Sequence, residues 1–127
     1  MSDIVGTWRL VSTQAHGEDG MLLPAPYGPK AMGLVVFQAD GRMMAVLCDG
    51  RPSVLGNDRD YVSYCGNYTF DGRTLITRVD AASDPARMGS EQVRHARFDG
   101  ARLILNPPPR PWRGGIQRHE LVWERIA

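Results

Sequence analysis

Five Asp-Gly dipeptides punctuate this chain of 127 residues, and three of them separate runs of apolar or alternating residues. Asp-Gly suits the positive φ angles of tight hairpin turns, so each of the three predicts a hairpin. The hairpins join 32–38 to 42–48, 61–70 to 73–80, and 92–98 to 101–106. An opening strand over 6–13 and a closing strand over 117–125 bring the predicted count to eight.

Evidence for helix is confined to one short stretch. Asp84 can cap a single turn over 84–88, with Pro85 at the first helical position. Eight short strands with almost no helix are typical of a sandwich or a closed barrel. Sequential hairpins favour an up-and-down meander, and closure removes the exposed sheet edges. The sequence therefore predicts an all-β, eight-stranded antiparallel barrel, and the chain length favours a single domain over 1–127.

Composition and charge exclude several classes of function. A formal charge of +1 argues against nucleic acid as a partner. No run approaches the roughly 18–20 apolar residues of a membrane span, so no membrane partner is expected. The first residues lack the basic and apolar regions of a signal peptide, which predicts a cytoplasmic protein.

No cofactor or metal is expected either. Cys48 and Cys65 are seventeen positions apart, and the three histidines are scattered along the chain. Neither pattern has the spacing of a metal site. The sequence also lacks a Ser/His/Asp set, a phosphate-binding loop and a dinucleotide fingerprint.

The second and third predicted strands are apolar on both faces. Leu34, Val36, Met44 and Val46 alternate with a second apolar set, and such a pair needs cover on both sides. We assign Val36, Met44 and Val46 to the barrel interior. The other face then predicts a covering loop or a homodimer contact.

The opening run 6–12, Gly-Thr-Trp-Arg-Leu-Val-Ser, resembles the Gly-x-Trp first strand of lipocalins and their calycin relatives. The whole chain resembles the bacterial and fungal lipocalin-like domain family, through the stretches 26–29, 33–35, 64–69, 89–94 and 121–125. The resemblance implies a barrel whose cup-shaped interior accepts a small, largely apolar molecule. It also implies that Trp8 closes the base of the barrel with Arg125 stacked against it. Some relatives of this shape act in the cyclisation or isomerisation of secondary metabolites.

The candidate ligand-binding residues lie on the predicted inner faces of the strands. Gly66 leaves either a gap between the rings of Tyr64 and Tyr68 or a bulge in the strand. If Phe98 points inward, Gln92 and Arg94 do so too, and an inward arginine implies a carboxylate or an anionic ligand. The complete set of ligand-binding candidates is Tyr64, Tyr68, Gln92, Arg94 and Met44, with Leu10, Leu105 and Leu121 as further cavity walls.

These observations favour the binding of a small hydrophobic or amphipathic molecule in the barrel. The alternative is a cofactor-independent cyclase or isomerase in small-molecule biosynthesis, in which Tyr64, Tyr68 or Arg94 polarises a bound substrate. A third hypothesis is a filled barrel that acts through a dimer or partner surface, because eight strands can enclose either side chains or one small ligand.

Overall fold

The computed structural model of this protein describes residues 3–54 and 59–127. Ten strands and one short 3-10 turn are found in these ranges. The strands are β1 (Gly6–Gly17), β2 (Leu22–Leu23), β3 (Ala31–Phe37), β4 (Arg42–Asp49), β5 (Tyr61–Phe70), β6 (Thr74–Ala82), β7 (Glu91–Asp99), β8 (Arg102–Asn106), β9 (Arg110–Trp112) and β10 (Gly115–Arg125), and the 3-10 turn spans Pro85–Arg87.

Eight of these strands form a closed antiparallel barrel in the order β1-β3-β4-β5-β6-β7-β8-β10. The barrel closes because β10 pairs back onto β1, from Trp8 opposite Arg125 to Gly17 opposite Gln117. The predicted eight-stranded, up-and-down barrel is thus confirmed. The sequence did not predict the short strands β2 and β9. They pair antiparallel with β1 and β10, respectively, at one end of the barrel.

The predicted hairpin turns are present where the Asp-Gly dipeptides placed them. Gly41, Gly72 and Gly100 have φ angles of 93°, 99° and 60°, a backbone region that disfavours other residues. The predicted single turn also forms, and the Asp84 side chain accepts a hydrogen bond from the backbone N–H of Ala86 at 3.0 Å. Within the described ranges, no helix has the length and apolar character that crossing a membrane requires.

The two ends of the barrel differ. The closed end carries the start of β1, the end of β10 and the three Asp-Gly turns. The mouth carries the long connections 18–30, 83–90 and 107–114, together with the described parts, 50–54 and 59–60, of the connection between β4 and β5. Loops at one end of a rigid barrel commonly carry its binding groups, so the mouth is where a site is expected.

Trp8 and Arg125 lie together at the closed end. The Trp8 indole N–H donates to the carbonyl oxygen of Ile4 at 2.9 Å. The Arg125 guanidinium carbon lies 4.3 Å from the centroid of the Trp8 ring. The same guanidinium donates to the carbonyl oxygens of Asp3, at 2.6 Å, and Val5. The cation therefore ties both chain ends to the base of the barrel.

A bulge in β1 changes the face that its second half presents. The pairing with β10 shifts between Leu10 and Ser12. Trp8 and Leu10 point inward as predicted, but Thr13 and not Ser12 continues the inner face. Strict alternation from Trp8 and Leu10 would place Ser12 inside, and it fails here because a bulge adds one residue to the strand. As a result, the buried Thr13 hydroxyl donates to the carbonyl oxygen of Pro26 at 2.8 Å and fixes the first mouth loop.

The assignment of Val36, Met44 and Val46 to the interior was wrong. Along β3 and along β4 as far as Leu47, the buried residues are their chain neighbours, namely Val35, Phe37, Met43, Ala45 and Leu47. Met44 lies on the outer face with 54% of its surface exposed. Strands that are apolar on both faces carry no period-2 signal, so the sequence could not select the inner face.

Candidate functional site

A cavity of about 40 Å³ lies inside the barrel toward the mouth. Its apolar walls come mainly from the strands, whereas most of its polar groups come from the mouth loops or the strand ends near them. A water molecule needs on the order of 10–15 Å³ of such space, so the cavity has room for a few waters and is smaller than a benzene-sized site. The lining residues are Tyr27, Val35, Phe37, Met43, Ala45, Leu47, Val62, Tyr64, Leu75, Arg87, Arg94, Leu105, Pro107, Arg110, His119, Leu121 and Trp123.

Three arginines line this cavity from three different elements. Arg94 projects from β7, Arg87 from the 3-10 turn and Arg110 from β9. Arg94 Nη2 donates to the amide oxygen of Gln92 at 2.7 Å, and Arg87 donates to the same oxygen. Two cations thus share one neutral acceptor. None of the five ion pairs formed by residues 3–54 and 59–127 includes any of these three arginines.

The positive charge of the three arginines lowers the pKa values of basic groups in the site. Burial lowers the pKa of the Arg94 guanidinium, and the charge of Arg87 lowers it further. Burial and the charge of Arg94 act in the same direction on the pKa of Arg110. His119 shows the largest effect, because burial and then the charges of Arg110 and Arg94 lower its pKa to about 4. The imidazole is therefore neutral at pH 7.

An aromatic wall encloses the site on the side of the Pro-rich loops. The His119 and Trp112 rings meet edge-on with centroids 5.1 Å apart, and Trp112 meets Tyr27 edge-on at 6.0 Å. Tyr27 has a φ angle of 65°, a strained conformation for a residue with a side chain. The Tyr27 side chain is buried and lines the cavity, and this burial raises the pKa of its hydroxyl.

An ion pair between a buried carboxylate and a partly exposed arginine holds the mouth loops in place. Asp49, at the end of β4, accepts hydrogen bonds from the Arg51 guanidinium at 2.6 Å and from the Arg51 backbone N–H at 3.0 Å. These bonds lower the pKa of Asp49 to about 2. Gly28 packs directly on this carboxylate, and a Cβ at Gly28 would lie 2.7 Å from Asp49 Oδ2. The loop that carries Tyr27 is thereby fixed to the end of β4.

The structure brings some of the predicted site residues together. Tyr64 and Arg94 line the cavity, and Gln92 is buried beside it as the acceptor for Arg87 and Arg94. Of the two orientations that the sequence left open for Arg94, the structure shows the inward one. The Arg87 guanidinium carbon lies 5.8 Å from the centroid of the Tyr64 ring, so the ring borders the cationic cluster.

Tyr68 and Met44 lie elsewhere. The Tyr68 hydroxyl donates to the carbonyl oxygen of Gln38 at 2.7 Å, and its ring packs edge-on against Phe37 toward the closed end. Between Tyr64 and Tyr68 the strand bulges at Gly66, where an added Cβ would overlap the carbonyl oxygen of Arg78. Gly66 therefore leaves no gap for a ligand. Met44 faces outward, as described above.

Sequence reasoning missed three cavity residues that carry the charge of the site. Arg87 and Arg110 belong to mouth loops, where no alternation indicates the direction of a side chain. His119 was noted only as one of three scattered histidines, although it lies on the inner face predicted for β10. Two features of the sequence could have pointed to these residues. Prolines stiffen the loop before Trp112, and arginine supplies fourteen of the fifteen cations.

Metal-ligating side chains do not gather at the cavity. In the described part of the chain, no three His, Cys, Asp or Glu residues lie close enough together to hold a metal ion. Cys48 and Cys65 are free thiols, and the buried Cys48 donates to the carbonyl oxygen of Asp49 at 3.4 Å. The polar groups of the cavity are mainly cations and N–H donors.

Comparison with known proteins places this architecture in a family. A family model described as a lipocalin-like domain matches residues 5–126. A search among curated proteins returns no significant match.

Proposed function

The chain belongs to the lipocalin-like domain family, and we propose that it binds a small amphipathic molecule inside the barrel at the mouth. The observation that carries this proposal is the division of the cavity into two parts. Apolar side chains such as Phe37, Met43 and Leu75 form its walls, and a few polar groups converge above them. Small-molecule sites combine an apolar lining with a few polar groups that fix orientation in this way.

Binding requires movement of side chains at the mouth. The cavity of about 40 Å³ is smaller than a ligand of several carbon atoms, and the side chains of Arg87, Arg94 and Arg110 are among those that line it. Arginine has a long, unbranched stem, so these groups can move aside and then close over a ligand without changing the barrel backbone. The strands and the pinned loops provide a rigid frame for this exchange.

The cyclase or isomerase that the sequence left as an alternative is not proposed here. That alternative relied on Tyr64, Tyr68 or Arg94 to polarise a substrate. The Tyr68 hydroxyl is bonded to the carbonyl oxygen of Gln38, away from the residues that line the cavity. A cytoplasmic location forms part of our proposal, and the two free thiols support it, since disulfides are rare in reducing compartments.

Calorimetric titration with hexanol and with hexanoate tests the proposed function. We expect at least one of the two to bind to the wild-type protein. Ala45→Leu, which fills the cavity from the inner face of β4, should abolish that binding. Val46→Leu also enlarges an apolar side chain, but on the outer face of the same strand, and should leave binding unchanged. Far-UV circular dichroism and thermal unfolding establish that both variants fold.

Two results of these measurements would contradict the proposal. Absence of binding of both probes to the wild-type protein, together with no co-purified ligand in native mass spectrometry, would overturn the proposed function. Equal loss of binding in the Ala45→Leu and Val46→Leu variants would contradict an interior site.

A further inference from the structure

The arginine cluster at the mouth is charged and buried without an opposite charge. Arg94 and Arg110 are substantially removed from solvent, and Arg87 lies close enough to affect the pKa of both. Burying a cation is costly unless it is paired. Since the ion pairs of the described chain engage other arginines, Arg9, Arg42, Arg51, Arg97 and Arg113, the three cations in the cavity lack a partner among the described carboxylates.

A second, independent observation comes from unpaired hydrogen-bond donors. Four buried N–H groups in the described structure have no acceptor, and they belong to Arg110 Nε, Gln92 Nε2, Trp112 Nε1 and Trp123 Nε1. Arg110 and Trp123 line the cavity, and Gln92 is hydrogen-bonded to two of the cavity arginines. Buried donors are satisfied in most native proteins. Three unsatisfied donors at or beside one cavity indicate a site built to receive a group rich in acceptors.

We infer that the ligand of this barrel is an acid whose carboxylate is bound by Arg94, Arg110 and Arg87, with its apolar part against Phe37, Met43 and Leu75. This inference rests on the proposed function and specifies the chemical class of the ligand. A carboxylate offers two oxygens in a plane, which matches the planar fork of a guanidinium. It is also small enough for the space available and uses donors that the protein alone leaves unpaired.

The state of His119 agrees with this assignment. Its imidazole is kept neutral partly by the charges of Arg110 and Arg94. A carboxylate between those arginines would offset their charge, so binding should raise the pKa of His119. The direction of this change depends on the charge of the ligand, and a neutral ligand of the same size would not produce it.

The test compares hexanoate with hexanamide, which share a chain length and differ in charge. By calorimetric titration at low salt, we expect hexanoate to bind at least tenfold more tightly than hexanamide. Arg94→Gln and, as a second variant, Arg110→Gln should each weaken hexanoate binding by roughly 10- to 100-fold, the usual range for a hydrogen-bonded charge pair. Binding of hexanamide should change little in either variant.

Arg73→Gln is the matched control, because it removes the same charge from an exposed residue in a turn at the closed end. It should leave hexanoate affinity unchanged. NMR titration of the His119 imidazole in the presence of hexanoate supplies a second readout, with an expected rise in its pKa that hexanamide does not cause.

Equal affinity for hexanoate and hexanamide would overturn the anion assignment and leave the proposed function intact. Loss of hexanoate binding in the Arg73→Gln variant to the same extent as in the Arg94→Gln variant would also overturn it, since net charge alone would then explain the effect. Inorganic phosphate binding more tightly than hexanoate would reject the carboxylate class. Absence of binding of hexanoate, hexanamide and hexanol, together with no co-purified ligand in native mass spectrometry, would instead reject the proposed function on which the inference rests.

Discussion

The neutral His119 makes a quantitative prediction about stability and pH. An unfolded histidine has a pKa of about 6.5, and in the folded protein the pKa of His119 is about 4. Between these values the unfolded chain binds a proton that the folded chain does not. Stability from this group is therefore fully present above pH 6.5 and is lost as the pH falls toward 4. Each pKa unit corresponds to about 1.36 kcal/mol, so the whole shift represents about 3 kcal/mol.

At about pH 5 this relation gives a loss of about 2 kcal/mol in the free energy of unfolding relative to about pH 7.5. Carboxylates contribute little to the change in stability over this pH interval. The pKa of Asp49 is about 2, so the stability that it provides is lost only as the pH falls below the ordinary aspartate value. A decline between pH 7.5 and 5 can thus be assigned to histidine.

Urea unfolding followed by tryptophan fluorescence at a series of pH values measures this loss. His119→Gln should make the free energy of unfolding nearly independent of pH over the interval. His95→Gln, at an exposed position of β7, should preserve the wild-type slope. NMR titration of His119 measures the pKa directly. A wild-type protein of constant stability from pH 7.5 to 5, or a His119 midpoint near 6.5, would refute the reasoning.

Three further predictions concern other parts of the barrel. Arg125→Met should lower the free energy of unfolding by about 1–2 kcal/mol, because it removes the cation stacked on Trp8 and its hydrogen bonds to backbone carbonyls. An unchanged urea midpoint would show that the stacked pair contributes nothing to stability. Gly66→Ala should destabilise by about 1–3 kcal/mol, since its Cβ would overlap backbone; wild-type stability would mean that the bulge relaxes freely. If the exposed outer face of β3 and β4 forms the homodimer contact that was one of the two alternatives from the sequence, Met44→Glu should convert a dimer to a monomer in sedimentation velocity. A wild-type monomer at every concentration would contradict that prediction.

The fold could be predicted because its signals are local. A hairpin turn depends on two residues, and Asp40-Gly41, Asp71-Gly72 and Asp99-Gly100 each fixed the pairing of the strands beside them. Once three hairpins and two flanking strands were known, closure followed from the cost of exposed edges. The contact between Trp8 and Arg125 could be predicted for a different reason, because a family resemblance implied it.

The site was harder to predict because its geometry depends on contacts between distant segments. The bulge after Leu10 arises from the register between β1 and β10, which no pattern within β1 reveals. The inner face of β4 is chosen by its neighbours, so Met43 and Met44 were indistinguishable in sequence. Arg87 and Arg110 reach the cavity from loops, and only the folded barrel brings them to Arg94.

The contrast between the two ends of the barrel shows why the arginines at the mouth call for a functional explanation. At the closed end, Arg125 has an aromatic face and two carbonyl oxygens as partners, and its charge stabilises the fold. At the mouth, Arg94 and Arg110 carry the same charge without a described carboxylate, and a buried guanidinium cannot relieve its cost by releasing a proton as lysine can. Apolar residues of similar volume would stabilise the unliganded barrel better at these positions. A cluster that lowers stability in this way is expected where a ligand supplies the missing negative charge. Ligand binding then offsets the free energy cost of burying the unpaired arginines.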